Sequence, residues 1–228
     1  MSDKQREIIR QKASKLATES LQKSEPSAWF DRLYAQANQD ATQVPWAKLT
    51  AHPYLQHWLE SQQINGAGKS ALVIGCGLGD DAEALASLGF QVTAFDISPT
   101  AISWAKQRFP NSSVNYLVAD LLALDPSWKG KFDLICECRT IQSLPLNLRD
   151  TVIGSIAPLV APGGTLLLIA RIRDFDDQPD GPPWPLSEQE LAQFQELGLS
   201  EISRDPFFEG ENSPVKQVLI EYQLRVDS

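Results

Sequence analysis

The chain has 228 residues, 43% of them hydrophobic, and a formal net charge of -9 from 20 Lys+Arg against 29 Asp+Glu. That length and apolar fraction support one large globular domain, or one domain with an extension, whose core needs neither disulfides nor a structural metal. An acidic chain with no Lys/Arg cluster in its body excludes a nucleic-acid backbone or an anionic membrane surface as partner, no apolar run approaches the ~20 residues of a bilayer span, and three cysteines make no disulfide framework.

The basic charge sits at the start: residues 1–25 carry a net +2, the remainder -11, and eleven of the acids fall between Asp174 and Glu211, where Arg204 is the only basic residue. The N-terminus lacks the apolar core of a signal peptide, so a reducing, cytoplasmic setting is the expectation. Ile8, Ile9, Leu16 and Leu21 make a sparse helical stripe. Trp29, Phe30, Leu33 and Tyr34 make a denser one, followed by Trp46, Tyr54, Trp58 and Leu59. The reading is an N-terminal helical cap over residues 1–69, packed on a sheet edge, ahead of a ligand-binding domain over 70–228.

From residue 70 strands and helices alternate. Residues 71–74 (ALVI) form a strand stopped by Gly75, 81–87 a helix ending at Gly89, and 91–96 (QVTAFD) a second strand. Ser98 then reads as an N-cap with Pro99 in the first helical position. Strands follow at 114–119 and 132–137, a helix at 148–160, a turn at 162–164 (PGG) and a fifth strand at 165–170. After a stiff loop at 177–185 (DQPDGPPWP) and a helix at 187–197, two strands near 201–208 and 217–225 have no helix between them and pair antiparallel. The expected architecture is α/β and three-layered: a mostly parallel seven-stranded sheet with an antiparallel C-terminal edge pair.

The richest signal is 72–81 (LVIGCGLGDD), a strand, a glycine turn and a helix start. Asp96 ends the next strand 21 residues after Gly75, where an acid accepts hydrogen bonds from ribose hydroxyls, and Asp120 ends the third strand, beside an adenine edge. Charge separates the possible cofactors. A dinucleotide places its pyrophosphate on the helix start with spacing GxGxxG. Here Gly79 comes one position early, and Asp80 and Asp81 at the helix start repel a pyrophosphate but suit the sulfonium and ammonium of S-adenosylmethionine. Asp80 with Glu83 also reads as an acidic capping box. An NAD-dependent oxidoreductase is the least favoured reading.

GCGLG, AFDIS, VADLL, FDLICE and PGGTLLLIA, within residues 70–171, resemble the motifs of class I S-adenosylmethionine-dependent methyltransferases. One departure is Val73, where many members carry an acid two residues before the first glycine. With Asp80-Asp81, the segment Trp29 to Tyr34 and Pro45-Trp46, the chain is similar to the thiopurine, thiol and halide methyltransferase group. The resemblance implies a Rossmann-like methyltransferase fold, S-adenosylmethionine as donor and S-adenosylhomocysteine as product. It implies donor contacts at Gly75, Cys76, Gly77, Gly79, Asp80, Asp96 and Asp120, with Glu137 nearby, Ile97 and Leu121 flanking the adenine, and Trp29 or Trp46 closing over it.

The acceptor then belongs beyond the carboxyl ends of the strands, facing 137–140 (ECRT), 171–174 (RIRD) and the cap. There is no Asn-Pro-Pro-Tyr signature, and the two histidines, His52 and His57, lie in the cap, so neither a His base nor a metal site is expected. A thiolate or halide needs alignment rather than deprotonation, and in-line positioning supplies roughly 7–11 kcal/mol. Arg139, Arg171 and Arg173 are candidates to hold an anionic part of the acceptor, Glu137 and Arg139 are the candidate catalytic groups, with Glu137 a base for a neutral hydroxyl or amine, and Trp184 is a candidate pocket wall. Asp174 and Asp176 weigh against a strongly anionic acceptor unless the arginines neutralise them, and Cys136 and Cys138 read as apolar fillers. The expectation is methyl transfer to a small molecule, a thiol or halide first, an O- or N-acceptor second, and a non-catalytic binding domain third. The sequence names neither the acceptor nor the oligomeric state.

Overall fold

Apolar runs without strict alternation become strands covered on both faces, and this is how the sheet forms. A computed structural model describes residues 3–174, 177, 179, 181–210 and 214–225. Its strands are β1 (Ser70–Ile74), β2 (Gln91–Asp96), β3 (Asn115–Val118), β4 (Phe132–Cys138), β5 (Val160–Arg171), β6 (Leu199–Glu209) and β7 (Val215–Leu224), in the order β3-β2-β1-β4-β5-β7-β6. All pairings are parallel except those of β7, which runs antiparallel to both β5 and β6.

The helices are α1 (Asp3–Gln22), α2 (Ala28–Ala37), α3 (Pro53–Ser61), α4 (Asp80–Ser87), α5 (Pro99–Arg108), α6 (Arg149–Ile156) and α7 (Glu188–Glu196). One face of the sheet, with Leu72, Ile135, Leu168 and Ile220, packs on Ile153 and Ile156 of α6 and Phe194 of α7. The other, with Val73, Cys136 and Leu167, packs on Leu55 and Leu59 of α3, Leu85 of α4 and Ile102 of α5. The chain order runs outward from β1 in one direction and from β4 in the other, so the carboxyl ends of these neighbours flank a switch-point crevice.

Local signals act as the spacing predicts at two helix starts. Ser98 accepts from the Ala101 N–H at 3.0 Å with Pro99 behind it, and Ser187 with Glu190 closes a reciprocal capping box. Residues 162–164 turn the chain within β5: Val160 pairs with Phe132 and Thr165 with Leu134, residues 161–164 have no partner on β4 or β7, and Gly163 sits at φ +75°. Gly164 makes this passage possible, since a Cβ there would lie 2.9 Å from the carbonyl oxygens of Ala161 and Phe132. Two expectations need correction. Asp80 does not cap α4. The N-cap is Gly79, and Glu83 instead accepts the Tyr116 hydroxyl at 2.7 Å. Ile8 of the N-terminal stripe is exposed.

Residues 3–69 divide their contacts. α1 and α2 share a cluster with the glycine turn and α5, in which Leu16, Leu33 and Tyr34 meet Leu78, Ala101 and Trp104. α3 joins the sheet core instead. All three cysteines are free thiols, and among the described residues no helix is long and apolar enough to cross a membrane.

Candidate active site

The glycine turn after β1 holds Gly75, Gly77 and Gly79 at φ +60°, +52° and +93°, a left-handed path that other residues resist. Side chains from elsewhere fill the space a Cβ would need: Thr140 behind Gly75, Tyr116 behind Gly79, and the Tyr34 hydroxyl 3.0 Å from a Cβ on Gly77. Asp96 braces this loop, accepting from the Gly77 N–H and the Ser98 N–H at 2.9 Å each. Desolvation pushes its pKa up to about 6 against those two bonds, and the neighbouring Asp31 charge adds to the rise. Asp31, unremarked in the sequence, reaches from α2 to accept from the Ser98 hydroxyl at 2.7 Å and the Thr100 N–H at 3.0 Å.

The two acids at the start of α4 have separate fates. Asp80 forms a bidentate ion pair with Arg108 at 2.7 and 2.8 Å, so its charge is neutralised within the fold and does not face a ligand. The spacing that placed it beside a cation could not reveal a partner 28 residues away. Asp81 is half-buried, accepts the His52 N–H at 2.7 Å, and is pushed up to about 6 by desolvation. Cys76 turns its side chain into the core, leaving its backbone on the loop.

Over the loop stands an aromatic wall. Trp29 stacks on Phe30 with centroids 4.0 Å apart, and Trp46 meets Trp29, Phe30 and Tyr34 edge-on. The Trp46 indole N–H donates to the Tyr34 hydroxyl at 2.8 Å, while the buried Trp29 indole N–H has no acceptor among the described residues. Burial, helped by the Asp96 charge, raises the Tyr34 pKa well above its usual range. Tyr34 counted in the sequence as part of a core stripe; it is both core and loop support. On the β3 side, Asp120 is exposed and accepts the Leu122 N–H at 2.9 Å, and Ile97 is half-buried. Leu121 is a correction: it is buried in the sheet core and does not line the crevice.

At the end of β4, Glu137 is fully buried. Its Oε1 accepts from the N–H groups of Thr140 (2.6 Å) and Ile141 (2.8 Å), Oε2 has no partner among the described residues, and burial pushes its pKa up to about 7. A general base must face its substrate; this carboxyl braces a turn instead, which corrects the catalytic reading. Thr140 Oγ1 donates to the Ile74 carbonyl at 2.9 Å and so ties the ends of β1 and β4 together.

Arg139 sits at φ +66° and donates through Nη2 to Glu209 (2.8 Å) and Gln217 (2.7 Å). Arg171, at the end of β5, has no side-chain acceptor among the described residues. The two are neighbours: burial and the Arg139 charge lower the Arg171 pKa. Arg173 and Trp184 are corrections. Arg173 binds the Pro185 carbonyl (2.9 Å) and shares Glu190 with the buried Arg149, each at 3.1 Å. Trp184 is buried, its backbone held by Gln142 and Arg149 at 2.6 and 2.9 Å, so it locks a loop rather than walling an open pocket. Asp174 is exposed, while Asp176 and Glu211 lie outside the described residues.

His52 was set aside in the sequence as a cap residue. It lies beside Arg139 and Glu209, accepts the Tyr54 N–H on Nδ1 at 3.3 Å, and is held at a pKa of about 4 by burial and by Arg139. The pair His52-Pro53 at a helix start was the available signal for its capping role. Among the described residues no group of three or more His, Cys, Asp or Glu could hold a metal ion.

The family profile of thiopurine S-methyltransferase matches residues 35–213. Among curated proteins, the probable thiol methyltransferase 2 of Arabidopsis thaliana is 31% identical over 170 residues, 72% of each chain. The 2-heptyl-1-hydroxyquinolin-4(1H)-one methyltransferase of Mycobacteroides abscessus is 30% identical over 157 residues, 67% of each. Among solved structures, the N-methyltransferase NodS of Bradyrhizobium japonicum, in complex with S-adenosyl-L-homocysteine, superposes with a TM-score of 0.66 at 23% identity, covering 85% of this chain and 98% of that one.

Proposed function

The chain belongs to the thiopurine S-methyltransferase family and is an S-adenosylmethionine-dependent methyltransferase of small molecules, and from that premise we propose that its acceptor is a thiol or a halide, bound where β4 and β5 end. The observation that carries this is the absence of a usable base among the described strand-end residues: Glu137 is consumed by its turn, and His52 gives its Nδ1 to a backbone N–H. Such a site favours a nucleophile that attacks without losing a proton to the protein. The naming of a relative as a thiol methyltransferase supports the same reading.

The residues at the glycine loop fit the donor. The Trp29 indole N–H, buried without an acceptor, matches the donor's carboxylate; the aromatic faces of Trp29, Phe30 and Trp46 and the charges of Asp31 and Asp96 match its cationic groups. Free lone pairs on Asp96 remain for the ribose hydroxyls, and exposed Asp120 and half-buried Ile97 remain for the adenine. When bound, the donor supplies an electrophilic methyl on a sulfonium leaving group. The protein's part is to hold the loop in its left-handed path through Asp96, to exclude water with the aromatic wall, and to orient the acceptor from the strand ends. We place the functional division at the cap, residues 1–69, and the donor-binding domain, 70–228.

The test is a panel of thiols, iodide and phenols with S-adenosylmethionine, read as S-adenosylhomocysteine formed. Turnover of thiols or iodide above phenols is expected; phenols alone would move the assignment to O-methylation. A saturating donor, at 100 times its Kd, adds about 2.7 kcal/mol of stability. Asp96→Ala should remove that thermal shift, and a full shift in the variant would take Asp96 out of the donor site.

A further inference from the structure

Three N–H groups near the acceptor end are used by nothing described so far: Arg139 Nε, Arg171 Nε and His52 Nε2. Each is excluded from solvent and without an acceptor among the described residues. An orphaned buried donor costs about 1–3 kcal/mol, so three in one neighbourhood call for a ligand. His52 counts as a donor because its Nδ1 accepts the Tyr54 N–H, which leaves the single proton of a neutral imidazole on Nε2.

The surrounding charges fix the sign of that ligand. Arg10 of α1 acts on Arg171, Lys48 acts on His52, and Glu209 and Asp81 are the opposing acids. Two arginines at the strand ends with Arg10 and Lys48 outnumber the two acids, and Glu209 is already divided between Arg139 and Gln217. Asp174, which weighed against an anionic acceptor, is exposed and does not act on Arg171. Arg139 Nη2 is committed to Glu209 and Gln217, so Arg139 offers its Nε–H alone, whereas the Nε–H of Arg171 and its adjacent Nη–H form a flat edge that matches the two oxygens of a carboxylate. The Arg139 side chain keeps 21% of its surface accessible, so the cluster is reachable from outside.

We propose that Arg139, Arg171 and His52 form a carboxylate-binding subsite that orients a methyl acceptor carrying an acid group, so that thiol carboxylates are the preferred substrates. The inference rests on the acceptor lying at the strand ends. A site built to pair with a polar group rejects the analogue lacking it far more strongly than a site that merely accommodates it.

The test uses the protein saturated with S-adenosylhomocysteine, so that the donor's own carboxylate site is filled. Calorimetric titration compares benzoate with benzamide on wild type, Arg171→Gln, Arg171→Lys and His52→Gln, each checked for an unchanged circular dichroism spectrum. Benzoate should bind at least tenfold tighter than benzamide, the preference should vanish in Arg171→Gln and persist in part in Arg171→Lys. In turnover, thiosalicylate should exceed thiophenol at least tenfold in kcat/KM for the wild type only. Equal binding of benzoate and benzamide, or no benzoate binding at millimolar concentration, overturns the subsite; so does iodide or phosphate displacing benzoate at lower concentration than a second carboxylate does. Benzoate selectivity without turnover of either thiol would count against thiol methylation while upholding the subsite.

Discussion

Glu137→Gln separates a turn brace from a catalytic base. The carboxyl of Glu137 is fully buried, and desolvation outweighs its two backbone hydrogen bonds, raising its pKa from the ordinary 4.5 to about 7. A buried acid with a raised pKa binds its proton more tightly folded than unfolded, so its ionisation opposes folding. The contribution is favourable below the unfolded pKa and is lost progressively as pH rises from about 4.5 to about 7. At about 1.4 kcal/mol per unit, the wild type has lost about 1.4 kcal/mol at pH 5.5 and about 3.4 kcal/mol at pH 8.5. Glutamine keeps an oxygen for the Thr140 and Ile141 N–H groups and has no charge to bury. Its extra amide hydrogens shift stability equally at both pH values and leave the pH dependence untouched. The variant should therefore gain about 2 kcal/mol on wild type between pH 5.5 and 8.5, roughly 4–8 °C in Tm for a domain of this size. Denaturant titration and thermal melts at the two pH values measure it; Asp81 and Asp96 titrate in both proteins and cancel. A gap that does not change with pH, or that closes toward alkali, refutes the account. Turnover lost in Glu137→Gln with the predicted stability gain intact would restore the base.

Other perturbations follow from the same contacts. Arg149→Met removes a buried guanidinium that holds Glu190, the Ile141 carbonyl and the Trp184 carbonyl at 2.6–3.1 Å; a loss of about 3–5 kcal/mol and a Tm drop of roughly 6–20 °C are expected, and a drop under 2 °C would show that the cluster contributes little. Gly79→Ala imposes a Cβ at φ +93° against the Tyr116 hydroxyl, with an expected loss of about 2 kcal/mol or more from backbone strain and the displaced Tyr116–Glu83 bond; wild-type stability in a denaturant melt would contradict it.

What could be read from the sequence was whatever depended on neighbours along the chain. β2 spans residues 91–96 as its apolar run indicates, and Ser98-Pro99 starts α5 as its capping chemistry demands. The glycine turn was legible for the same reason, because left-handed backbone and helix entry are local properties. The errors fall where the deciding partner is remote. Asp80 pairs with Arg108 and Arg173 with Glu190. His52 gained its place from Asp81 and Arg139, neither of which its own surroundings in the sequence could suggest.

β7 lies between β5 and β6 although it is the last of the seven strands in chain order. The strands before it in the chain can pair in succession, but β6 can join the sheet only through β7. Val218, Ile220 and Tyr222, which complete one face of the core, arrive with it, as does Gln217, the partner of Arg139. Without β7 the sheet would end on the open edge of β5, and β6, which pairs with β7 alone among the described strands, would have no place in it. A lesion in β7 should accordingly lower the yield of folded protein more than a lesion of equal severity in β3, the outer parallel strand.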